Sequence, residues 1–87
     1  MGSTMLTETQ LHWRCRRGVR ELDVLFTRFL QNHYSDLSVE EQKVFQEMLE
    51  VQDPIIMDWL FGRYQADSVA MQNLVEKLKG ISGLSEP

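Results

Sequence analysis

Val19-Arg20-Glu21-Leu22-Asp23-Val24-Leu25-Phe26-Thr27-Arg28-Phe29-Leu30 is the stretch whose reading decides the fold class. Its residues Val19, Leu22, Leu25, Phe26, Phe29 and Leu30 recur at spacings of three and four. That is the apolar stripe of a helix with one side in a core. No comparable run alternates apolar and polar residues, and no Asn-Gly or Asp-Gly hairpin signal occurs.

The same period extends in both directions. Upstream, Thr7 and Gln10 have capping-box spacing, which predicts a first helix from about Glu8 to Arg16, closed by Gly18 as a left-handed cap. The second helix then runs to about His33, and a polar connector covers Asn32 to Leu37. Ser38 and Glu41 repeat the capping box and open a third helix to about Val51, with Val44, Phe45, Met48 and Leu49 on its apolar side. Asp53-Pro54 reads as N-cap and first turn of a short fourth helix carrying Ile55, Ile56, Trp59 and Leu60, and ending near Gly62. Asp67 or Ser68 caps a fifth, with Met71, Leu74, Val75 and Leu78 inward and Gly80 as its stop. The prediction is an all-α bundle of about five helices forming one domain over residues 6–81. Residues 1–5 read as a loose start and 82–87 as a tail.

Composition limits the functions available. The 87 residues carry a net charge of −4, with 43% hydrophobic and 25% charged residues, ordinary values for a small globular domain. No apolar run approaches the ~20 residues of a membrane span, and no secretory leader is expected. The single cysteine, Cys15, excludes an internal disulfide and fits a reducing compartment. With two histidines, His12 and His33, and that one cysteine, no metal-ligand spacing stands out and no metal site is expected. No Gly-rich phosphate loop is present. The one enzyme candidate is Cys15 beside His12, three residues away, with neighbouring arginines able to lower the thiol pKa. The competing reading of Cys15 is a small core residue.

The unexplained feature is charge. Arg14, Arg16, Arg17 and Arg20 place +4 in a seven-residue window against −8 for the rest of the chain. Helix-end electrostatics accounts for part of this: cations suit a helix C-terminus and Glu21 suits the next N-terminus. An exposed Arg17–Glu21 pair would add well under ~1 kcal/mol. Neither explains the crowding. Nucleic acid is one alternative, although the acidic remainder opposes phosphate binding.

His12-Trp13-Arg14-Cys15-Arg16-Arg17-Gly18-Val19-Arg20-Glu21-Leu22-Asp23 resembles the signature of the flavin-assembly factors of succinate dehydrogenase. The family's Arg-Gly-x-x-Glu core falls on Arg17, Gly18 and Glu21. Phe45, Leu49, Glu50, Asp53, Pro54, Trp59 and Leu60 resemble its second block, so the likeness covers about Leu11 to Leu60. Val19, where the family often has Met, and Cys15, where it has Ser or Ala, depart from the pattern.

The resemblance implies a small five-helix, non-enzymatic assembly factor. Its partner would be the flavoprotein subunit of succinate dehydrogenase, or in bacteria of fumarate reductase, and it would promote covalent attachment of FAD there. Partner-binding residues would be Trp13, Arg16, Arg17, Gly18, Arg20, Glu21 and Asp23. FAD would belong to the partner, with no tightly bound cofactor of its own; whether the free protein holds FAD is left open. The expected state is a monomer in a bacterial cytoplasm rather than a mitochondrial matrix. An antitoxin-type regulatory role, a label some bacterial members carry, is the alternative alongside nucleic-acid binding.

Overall fold

The computed structural model describes residues 7–82. Among them are five α-helices and no strand: α1 Glu8–Arg14, α2 Arg20–Asn32, α3 Val39–Met48, α4 Asp53–Leu60 and α5 Val69–Ser82, with one 3-10 turn at Tyr34–Asp36. The all-α prediction therefore holds. The expected loose residues 1–5 and, apart from Ser82, the expected tail lie outside the described residues.

Both capping boxes form. The Thr7 hydroxyl accepts the Gln10 N–H while the Gln10 side chain accepts the Thr7 N–H, and Ser38 and Glu41 do the same. Each box satisfies two N–H groups that the helix leaves unpaired. Ser68, the second of the two candidate caps, starts α5: its hydroxyl accepts the Met71 N–H at 3.1 Å.

The core stripes appear as read except at Ile55, which is exposed, and at Val19, Leu30 and Val44, which are half-buried. Leu22, Leu25, Phe26 and Phe29 of α2 meet Phe45 and Met48 of α3, Ile56, Trp59 and Leu60 of α4, and Met71, Leu74, Val75 and Leu78 of α5, all buried. Phe45 is the centre of an aromatic cluster, edge-on to Phe26 at 5.9 Å and tilted against Phe29 at 5.1 Å and Tyr34 at 5.5 Å. α5 packs on α3 and α4 and also touches α2, while α1 packs on α2.

Three glycine and cap expectations are corrected. α1 stops at Arg14, with Cys15 as its right-handed C-cap, and Gly18 is not left-handed. Gly62 alone among the described residues has a positive φ, at 76°. There the Gly62 N–H reaches the Trp59 carbonyl and the Arg63 N–H the Asp58 carbonyl, a Schellman ending for α4. α5 runs on through Gly80 to Ser82, because a single glycine in a helix costs only about 1 kcal/mol relative to alanine. α3 ends at Met48, three residues early. Asp53 is the first residue of α4 rather than its cap, which is Gln52. These last two shifts share a cause at the junction of α3 and α4.

Candidate functional site

That cause is Arg17. Its side chain turns inward, 11% exposed, and its guanidinium lies 5.5 Å over the Phe26 ring. Nε donates to Asp53 Oδ1 at 2.8 Å. Nη1 donates to the carbonyls of Arg14 at 3.0 Å and Leu49 at 2.9 Å, and Nη2 donates to the Val51 carbonyl. One planar fork thus takes up carbonyls left over at the ends of α1 and α3 and a carboxylate from α4, a geometry that lysine's point charge cannot reproduce. The expected Arg17–Glu21 pair does not form; Asp53, thirty-six residues away, is the partner.

Asp53 completes the junction. Its second oxygen accepts the Val19 N–H at 3.1 Å. Partial burial alone would raise this carboxyl. The Arg17 hydrogen bond, the Val19 N–H, the guanidinium charge and the Gly18 N–H outweigh that and hold it below its ordinary 3.8. The carboxylate is therefore charged at neutral pH.

The remaining arginines divide in two. Arg14 ion-pairs with Glu50. Arg16 lies 5.6 Å over the ring of Trp13, which is 67% exposed. Among the described residues the side chains of Arg20 and Glu21, both exposed in the first turn of α2, make no hydrogen bond or ion pair. Asp23 is half-buried and lines an open groove of about 520 Å³ between α1 and α2, with Thr9, His12, Trp13, Arg16 and Thr27.

Six of the seven residues picked from the sequence keep at least part of their surface in solvent, namely Trp13, Arg16, Gly18, Arg20, Glu21 and Asp23, and Trp13, Arg16 and Asp23 line one groove. Arg17 sits beneath them. Val24, 47% exposed, adds an apolar neighbour on α2. The geometry adds Glu50 and Asp53, the acid partners of Arg14 and Arg17. Asp53-Pro54 reads locally as a helix start, and only the second block of the family pattern marks these acids out.

Two alternatives weaken on this geometry. Half of the basic window is already matched, Arg14 by Glu50 and Arg17 by Asp53, and the more distant Arg63 is paired to Asp58. A mixed corner of this kind is poorly suited to a phosphate backbone. Cys15 is fully buried, and burial pushes its thiol up to about 11, the nearby Arg17 charge only partly opposing this. The thiol is therefore protonated at neutral pH and its sulfur is shielded, the opposite of an activated nucleophile. We expect Ellman's reagent at pH 8 to label Cys15 at the rate of global unfolding; rapid labelling of the native protein would contradict this environment.

Residues 9–82 match the family model described as flavinator of succinate dehydrogenase. The chain belongs to that family. Its relatives include proteins named FAD assembly factor SdhE. That of Coxiella burnetii is 32% identical over 77 residues, covering 88% of this chain and 94% of the relative. Those of Haemophilus ducreyi and Shewanella oneidensis are both 36% identical, over 74 and 76 residues, covering 85% and 87% of this chain and 90% and 93% of theirs. The flavinator match runs through α5. It includes the Arg17–Asp53 junction and all of the exposed corner above it.

Proposed function

We propose that this chain is an assembly factor that binds the flavoprotein subunit of succinate dehydrogenase, or of fumarate reductase, and promotes covalent attachment of FAD to it. The corner of Trp13, Arg16, Gly18, Arg20, Glu21 and Asp23 is the contact surface, and Arg17 supports it from inside. The observation that carries this is Gly18. It is exposed and not left-handed, and the atom nearest to a Cβ placed there is Asp53 Oδ2, at 3.9 Å, an ordinary contact. The chain's own packing does not require a glycine at this point, whereas close approach by a partner backbone does.

Around Gly18, Arg20 and Arg16 offer planar forks to partner carboxylates, and Glu21 offers an acceptor to a partner donor. FAD is the partner's cofactor in this scheme, and the chain supplies no catalytic group. It needs only to bind one flavoprotein conformation better than others: about 1.4 kcal/mol of differential affinity shifts that population ratio tenfold. A monomer working in the compartment where the flavoprotein folds, such as a bacterial cytoplasm, is sufficient.

The direct test is co-purification with the apo flavoprotein subunit, followed by in-gel flavin fluorescence with and without this chain. Covalent flavin that accumulates equally fast without it, together with no co-purification, would remove the proposal. Within the corner, Glu21→Ala should weaken flavoprotein binding by about tenfold, near 1.4 kcal/mol, while moving the melting temperature by less than about 3 °C. Glu21 has no partner inside the described fold to lose. Titration by calorimetry beside a circular dichroism melt checks both halves.

A further inference from the structure

The loop that presents Gly18 has few means of holding its own shape. After Cys15 caps α1, Arg16 to Val19 cross to α2 without regular structure, and the α2 cap position is Val19, whose side chain cannot accept a hydrogen bond. Glycine in the middle of such a segment leaves the backbone with the widest range of conformations. An acceptor must therefore come from elsewhere.

Asp53 supplies it. Standing first in α4, it would ordinarily serve the free N–H groups of its own helix, yet Gln52, the cap there, makes no side-chain bond and Asp53 reaches outward instead. One oxygen takes the Arg17 Nε at 2.8 Å and the other the Val19 N–H at 3.1 Å. The carboxylate therefore brackets Gly18 from both sides in sequence, with Oδ2 passing 3.9 Å from where a glycine Cβ would stand. At 16% exposure it lies beneath the loop rather than on the outward surface.

We propose that Asp53 is a positioning residue for partner recognition: it sets the Arg17-Gly18-Val19 backbone in the form the flavoprotein reads before the two proteins meet. This rests on the reading of the Gly18 corner as the flavoprotein contact. A preset loop avoids the ordering cost that a free one would meet on binding. Asn at this position keeps the shape and one acceptor oxygen but replaces the other oxygen with a donor. It cannot serve both Arg17 and Val19 as the carboxylate does.

The experiment uses the full chain and the apo flavoprotein subunit of succinate dehydrogenase. Affinities are measured for the wild type, Asp53→Asn, Glu21→Ala, the double variant and Gly18→Arg, at a temperature where circular dichroism shows each folded. Asp53→Asn is expected to bind at least tenfold more weakly. Its loss should also be less than additive with that of Glu21→Ala, because a displaced loop has already misplaced Glu21; a purely structural role would leave the two losses additive. Wild-type affinity for Asp53→Asn while Gly18→Arg has lost binding would overturn the positioning role and leave the contact reading standing. Wild-type affinity for both Gly18→Arg and Glu21→Ala would overturn the contact reading and the positioning role with it.

Should Asp53→Asn fail to fold, the wild type alone decides by amide hydrogen exchange at Val19. Protection that is already present in the free protein and unchanged in the complex is expected. Protection gained only on binding would show that the partner orders the loop, and would overturn the proposal.

Discussion

Gly18→Arg is expected to abolish flavoprotein binding and covalent flavinylation while leaving a folded protein. The fold side of this rests on three observations: Gly18 is exposed, its backbone is not left-handed, and the first added atom meets Asp53 Oδ2 at 3.9 Å. An added cation beside that carboxylate is electrostatically tolerable. Surface substitutions of this kind usually stay within about 0.5 kcal/mol, so the melting temperature should move by no more than about 4 °C. The binding side is steric. A seven-atom side chain standing out of the corner holds the partner backbone several ångströms away, and an affinity loss of at least about 100-fold, near 2.7 kcal/mol, is expected. Thermal melting, pull-down and in-gel flavin fluorescence on one preparation separate the two sides. Unfolding with no distinct binding defect would show that glycine serves the fold after all.

The second large effect falls on stability. Arg17→Ala removes the donor to three carbonyls and leaves Asp53 without its ion pair in a site where the two side chains are only 11% and 16% exposed. Breaking one side of a buried pair typically costs about 3–5 kcal/mol. Partial solvent access at this junction lowers that to roughly 2–4 kcal/mol. A domain of this size holds about 5 kcal/mol in all, the low end of the usual range, so the melting temperature should fall by more than about 10 °C. Arg17→Lys keeps the charge but reaches only part of the acceptor set, and should fall between the two. A change below about 3 °C for Arg17→Ala would show that the junction holds without its guanidinium. The contrast with Gly18→Arg is the point: adjacent positions in one motif, the first failing by unfolding and the second by loss of contact.

Much of the fold was legible because its determinants are local. A hydroxyl three residues before a Gln or Glu finds its partner within one helical turn, so Thr7–Gln10 and Ser38–Glu41 form whatever the rest of the chain does. The apolar stripes of α2 to α5 similarly show which side each helix buries. The site was legible only as a set of names. Seven residues stand out in the sequence, and six of them keep surface in solvent. The role of the seventh, Arg17, was not readable, because its partners are the Leu49 and Val51 carbonyls and the Asp53 carboxylate. Backbone carbonyls carry no side-chain signature, and Asp before Pro looks the same whether it caps its own helix or serves another.

What the sequence determined by itself is therefore the helices, most of their buried sides, the family and the Trp13–Asp23 corner that carries the family motif. Tertiary structure alone decided which arginines remain available at that corner, and which glycine needs its freedom. Gly18 and Gly62 both follow helical segments, yet only Gly62 is left-handed. The α4 ending closes on carbonyls within its own last turn, while the carbonyls after α3 are taken by Arg17, which also pairs with Asp53, thirty-six residues away in sequence. The physical reason is range. Hydrogen bonds within a turn are set by spacing along the chain, whereas those that lock one helix junction to another exist only once the core has brought the two together.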